Sequence, residues 1–138
     1  MTSIKSAVAL LVLECHTASS QAGWWKGPGN WDIVRLIRDP KSDVERYIAG
    51  AFVAQKLALQ HSEISEGLEG HRKGKMDEHL PHRPSLEVEL ADAVIRICDL
   101  AGAMDLDLSG AVVEKLAYNA QRPDHKPENR AKSDGKKY

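Results

Sequence analysis

The sequence predicts an all-α protein, a helical bundle of about four main helices, and three observations carry that expectation. Apolar positions in the two longest periodic segments recur at helical spacing, and no stretch sustains the alternation of a strand. The apolar residues are chiefly Leu, Ala, Val and Ile, with one Phe, three Tyr and three Trp, which suits packed helices better than a β-sandwich. At 138 residues the chain has the length of one domain with a single modest core.

The first helical segment runs from about Ser3 to Gln21, with Thr2 or Ser3 available as N-cap and Gly23 as a stop. Residues 23–42, rich in Gly, Pro and Trp, read as a connector holding a short helix over Trp31 to Arg38. Ser42 and Glu45 make a capping box for a long helix from Asp43 to about Arg72, which ends at Lys73-Gly74-Lys75. Two prolines within 75–84 prevent its continuation. A third main helix covers Ser85 to about Met104, Asp105 to Asp107 turn the chain, and a fourth spans Leu108 to Gln121 before Pro123 closes it. These elements make a single domain over 1–122. Residues 123–138 are basic and nearly devoid of apolar side chains, and read as a flexible tail.

Nineteen Lys and Arg against twenty Asp and Glu imply neither membrane steering nor a general nucleic-acid field. No run approaches the roughly 20 apolar residues that span a bilayer. Ala7 to Leu13 is the stretch nearest to a signal segment, but it continues into Glu14 and His16 without a small-residue cleavage site, so it reads as a core helix of a cytoplasmic protein. Cys15 and Cys98, far apart in apolar stretches, read as buried free thiols in a reducing compartment.

Chemistry is concentrated in carboxylates. On the long helix, at 100° per residue, Val53, Leu57, Ile64 and Leu68 form one stripe, expected to be core. Ile48, Phe52, Gln55 and Leu59 form another, which Glu63 and Glu66 extend. Carboxylates that prolong a buried stripe are costly unless a cation pairs with them. On the next main helix Glu89, Asp92, Arg96 and Asp99 share a narrow face opposite Leu90, Val94, Ile97 and Cys98. Residues i and i+3 are neighbours, so each pair can reach one ion, and a short connection makes the helices antiparallel neighbours. Four hard oxygen donors suit Mg²⁺, with Mn²⁺ a substitute. The bland alternative is a solvated charged face, with Arg96 paired to Asp92.

The pattern Glu63-Ile-Ser-Glu66 followed by Glu89-Leu-Ala-Asp92 resembles the ExxE…ExxD signature of the MazG-like, all-α nucleoside triphosphate pyrophosphohydrolases. The flanking runs, His61 to Glu69 and Glu87 to Arg96, look like the two motif helices of that family, and Lys115 to Pro123 resembles its closing Lys…Asn…Arg element. The likeness covers about residues 45–125. It departs at Gly67, where a helix-favouring residue is expected, and in the Trp-rich connector. The resemblance implies a bundle that assembles as a homodimer or homotetramer. It also implies Mg²⁺-dependent cleavage of a nucleoside triphosphate between the α and β phosphates. Glu63, Glu66, Glu89 and Asp92 are then the metal ligands, and Glu63 or Glu66 the residue that orients the attacking water. The metal polarises the phosphate, generates hydroxide and neutralises pyrophosphate. Lys115 and Arg122 become candidate phosphate clamps and Asn119 a hydrogen-bonding partner of sugar or phosphate.

Other positions are weaker candidates. Trp25, with Trp24, is a candidate for stacking on a base, against the commoner role of anchoring a loop on the core. Gln60 is a candidate for reading a base edge. His79-Leu-Pro-His82 lacks a third ligand and reads as a loop packed near the site. The basic tail, with Lys126, Arg130, Lys132, Lys136 and Lys137, reads as solvated. A di-iron bundle is disfavoured because no Glu has His three residues later. The remaining rivals are a non-catalytic helical dimer that binds nucleotide or protein, and a phosphoribosyl-ATP type of pyrophosphohydrolase.

Overall fold

The computed structural model describes residues 3–136. They form six helices: α1 (Ile4–Gln21), α2 (Ile33–Arg38), α3 (Asp43–Lys73), α4 (Ser85–Ala103), α5 (Leu108–Gln121) and α6 (Pro127–Arg130). Short 3₁₀ turns lie at Pro28–Asn30 and Pro123–His125. No strand occurs among the described residues, so the all-α class holds. None of their helices is long and apolar enough to cross a membrane.

Local chemistry explains the boundaries. Ser3 Oγ accepts from the Ser6 amide at 3.1 Å, the N-cap geometry expected of it, whereas Thr2 lies outside the described residues. Gly23, at φ 83°, ends the α1 segment. Asp32 caps α2 by accepting from the Arg35 amide at 2.9 Å, which starts that helix two residues later than Trp31. Ser42 caps α3 through the Glu45 amide at 3.2 Å. The Glu45 carboxylate does not complete the box; it accepts from the Lys41 amide and from the Arg35 guanidinium, both at 2.7 Å. Arg35 holds the Glu45 carboxyl down to about 2. At the far end Gly74 is left-handed, φ 59°, and the Lys75 amide bonds the Gly70 carbonyl at 3.0 Å, a Schellman closure.

The chain divides into two compact units. The larger covers Leu10–Leu106. Its core gathers Trp25, Ile33, Leu36, Ala49, Leu100 and Ala103, with Ile48 and Phe52 packed against them. The Trp-rich connector is therefore a core element, and Arg38 reinforces it by donating to the last carbonyls of α4, Gly102 and Ala103, at 2.6 and 2.7 Å. Cys15 and Cys98 are buried and free, as expected. In the smaller unit Asp107 caps α5 through the Gly110 amide at 2.8 Å, and Asn129 donates to the Pro123 carbonyl at 2.7 Å. Residues 123–136, which the sequence marks as a tail, thus form a turn and α6; Lys137 and Tyr138 lie outside the described residues.

One expectation is inverted. The stripe that includes Leu57, Ile64 and Leu68, read as core, is about half exposed on α3, and so are Leu90, Val94 and Ile97 on α4. The charged faces of the two helices are the ones that meet. Their approach is close because Gly67 and Gly70 carry no side chain: a Cβ on Gly67 would lie 3.3 Å from the Glu89 Cβ, and one on Gly70 would lie 2.8 Å from the Ser85 Cβ. This accounts for glycine at 67.

Candidate metal-binding site

α3 and α4 meet along a seam with matching spacing on each side. Lys56, Gln60, Glu63, Gly67 and Gly70 repeat at four and three residues on α3, and Ser85, Glu89, Asp92, Arg96 and Asp99 do the same on α4. The helices are antiparallel, so Gly70 faces Ser85, Glu63 faces Arg96 and Lys56 faces Asp99.

Toward the Gly70–Ser85 end of the seam, ligand oxygens of Glu63, Glu89 and Asp92 lie within 4.8 Å of one another. Glu63 is 5% exposed. Its Oε1 accepts from Arg96 Nε at 2.6 Å, so Arg96 pairs with Glu63 where spacing alone suggested Asp92. Burial raises the Glu89 pKa, hydrogen bonding with Glu63 raises it further, and the charges of Glu66, Glu63 and Asp92 add to that. Burial and the Glu63 charge raise Asp92, partly offset by Arg96. Glu66 is exposed and outside the three-residue group, but it lines the same cleft.

That cleft measures about 690 Å³ and continues to the 74–84 connector. There Asp77 Oδ1 accepts from the His79 and Leu80 amides at 2.9 and 2.6 Å, bringing His79 and Lys75 to the rim. Seven lining side chains are carboxylates, and two are Lys or Arg. Such a lining repels an anion unless bound cations offset its negative charge. The donors fit a hard cation: three carboxylates converge, one of them buried with a single basic partner.

The other predicted positions fall elsewhere. Gln60 is half-buried in the seam, its amide donating to the Arg96 carbonyl at 3.4 Å. Trp25 does not offer a face for stacking on a base: it is 3% exposed, with Nε1 donating to Asp99 Oδ1 at 2.7 Å, because the connector folds into the core. Trp24, its neighbour, is exposed. Lys115, Asn119 and Arg122 belong to the smaller unit. There the Lys115 Nζ stands 4.8 Å from the Tyr118 ring centroid, Arg122 Nε donates to Asp124 at 2.9 Å, and Asn119 Oδ1 is buried without a hydrogen-bond partner among the described residues.

Sequence reasoning missed a second polar centre. Asp99, 6% exposed, is met by Trp25, by His16 Nδ1 at 2.9 Å and by Ser19 Oγ at 2.8 Å, while Lys56 Nζ lies 4.0 Å away and 4.2 Å from the Trp25 ring centroid. Its signal was the lysine that extends the glutamate stripe two turns upstream, opposite an aspartate that extends the other. The chain matches no family model, no curated protein and no solved structure.

Proposed function

We propose that this chain is a Mg²⁺-dependent pyrophosphohydrolase that cleaves nucleoside triphosphates to monophosphate and pyrophosphate, in the manner of the MazG-like enzymes its motifs resemble. One observation carries the reading: three carboxylates converge in an open acidic cleft with too few basic groups to neutralise them. Glu63, Glu89 and Asp92, with Glu66 from the cleft wall, would hold the metal. The bound ion would supply Lewis-acid charge to the phosphates and lower the pKa of a water. Glu66, exposed and outside the inner group, is the glutamate best placed to orient that water. Lys115, Asn119 and Arg122 stay candidate phosphate and sugar contacts on the strength of the motif alone.

The half-exposed stripes on α3 and α4 support assembly as a homodimer or homotetramer, because apolar patches of this kind are usually covered. They equally support a non-catalytic helical dimer, the second reading. Two buried free thiols accord with a cytoplasmic setting. A panel of ribo- and deoxyribonucleoside triphosphates with Mg²⁺, extended to phosphoribosyl-ATP, separates these possibilities. Monophosphate and pyrophosphate are expected, lost with EDTA and reduced more than about 100-fold in Glu63→Gln and Asp92→Asn, whose helical circular dichroism is retained. No turnover of any substrate would favour the binding module.

A further inference from the structure

Arg96 is the arginine of the carboxylate cleft, and its engagement is partial. Nε donates to the Glu63 carboxylate at 2.6 Å, and among the described residues the terminal amines make no further hydrogen bond. The side chain is 41% exposed while that of Glu63 is 7% exposed, so the arginine is the partner that solvent can receive if the pair opens. Both line the cleft. The guanidinium thus supplies positive charge to Glu63, one of the three carboxylates that a cation would share.

Resting on the metal reading above, we infer that Arg96 is an exchangeable counter-ion, holding Glu63 in the metal-free protein, displaced by the divalent ion, and then bonding a polyphosphate oxygen. Three physical points carry it. A buried carboxylate without a positive partner is costly, so Glu63 needs a stand-in whenever the metal is away. Two cations on one carboxylate repel each other strongly inside a protein, so the incoming ion weakens the Arg96 bond. A guanidinium presents five N–H donors in a planar fork matched to phosphate, and here one donor is engaged by Glu63 while the side chain lines the cleft a substrate would fill. The exchange also keeps the acidic cleft from carrying the full charge of its carboxylates when empty, and it makes metal and polyphosphate binding cooperative. Arg96 is then a residue that senses metal loading, distinct from the ligands themselves.

The test is NMR on the full-length protein, following the Arg96 side-chain ¹Hε–¹⁵Nε signal, assigned by its absence in Arg96→Lys. In EDTA a single slowly exchanging signal is expected. Mg²⁺ should move it toward the position of a solvated arginine, and tripolyphosphate added to the Mg²⁺-loaded protein should shift it again. Backbone amide shifts around Glu63 and Asp92 report metal binding separately. If those amides shift while the Arg96 signal stays, the metal site stands and the exchange is wrong. If they do not shift at millimolar Mg²⁺, the metal reading fails and the exchange with it. As a second measurement, Arg96→Gln should bind Mn²⁺ about tenfold more tightly by electron paramagnetic resonance, and the Mn²⁺-loaded variant should bind tripolyphosphate about tenfold more weakly. Unchanged tripolyphosphate affinity would overturn the phosphate half of the inference.

Discussion

The two ends of the α3–α4 seam hold carboxylates in opposite circumstances. At one end a single carboxylate, Asp99, is surrounded by an indole N–H, a hydroxyl, an imidazole and a nearby ammonium. At the other, Glu63, Glu89 and Asp92 crowd together with one hydrogen-bonded guanidinium. Neither end is unusual for being acidic. The ratio of donors to carboxylates separates them: the Asp99 end is internally satisfied and closed, and the Glu63 end is under-compensated and open to a cleft. A buried, satisfied carboxylate organises the fold around it, whereas a cluster lacking positive charge is stable only with an added proton or cation.

The largest effect that would break this contrast is on stability. Asp99→Ala leaves buried donors and Lys56 without their acceptor and is expected to cost about 3–5 kcal/mol in urea unfolding. Glu63→Gln removes a charge from a crowded set and frees a half-exposed arginine, so it should cost less than about 1 kcal/mol in EDTA. Equal costs would mean that both ends are structural. Next in size is the ligand effect. Mg²⁺ at a hundred times its Kd should stabilise the native protein by about 2.7 kcal/mol in thermal unfolding, and Asp92→Asn should abolish that gain. A gain that survives in the variant would place the ion elsewhere.

The smallest effect is a pH dependence confined to the open end. Glu89 and Asp92 have folded pKa values above their ordinary 4.5 and 3.8. A raised carboxyl binds more protons folded than unfolded, so its stabilising contribution is complete below those ordinary values and is lost as pH rises through the folded ones. In EDTA, the native protein should therefore lose stability relative to the Glu89→Gln/Asp92→Asn variant as pH rises above those ordinary values. Mg²⁺ should reverse the difference, because only the native protein gains from binding it. A flat comparison in EDTA would show that neither burial nor mutual repulsion raises these carboxyls.

Much of the architecture was legible because it is written in local chemistry: Ser42, Gly74, Asp107 and Pro123 mark helix ends by what their side chains or backbones can do. The grouping of Glu63, Glu89 and Asp92 was legible from spacing plus a short connection. Burial was not. Leu57, Ile64 and Leu68 look like core on a helical wheel, and only the close approach allowed by Gly67 and Gly70 turns the charged face inward instead. Trp25 allowed two readings, base stacking and the commoner core anchor, and the structure shows the second: the glycine- and proline-rich segment supplies Trp25, Ile33 and Leu36 to the core. The Asp99 centre draws on α1, the connector, α3 and α4, and no single-helix pattern reveals a four-part contact.

The short connector between α3 and α4 has a consequence for how the site comes into being. Glu63 and Arg96 stand only 33 positions apart in the chain, whereas Asp99 must find Trp25 across 74 and His16 across 83. Closing one small loop brings the clustered carboxylates together, and the chain entropy of that step is modest. The satisfied centre requires distant segments to be collected and depends on the later, more cooperative part of folding. Every member of the acidic cluster lies between Glu63 and Arg96, so its assembly requires neither α5 nor the residues after it.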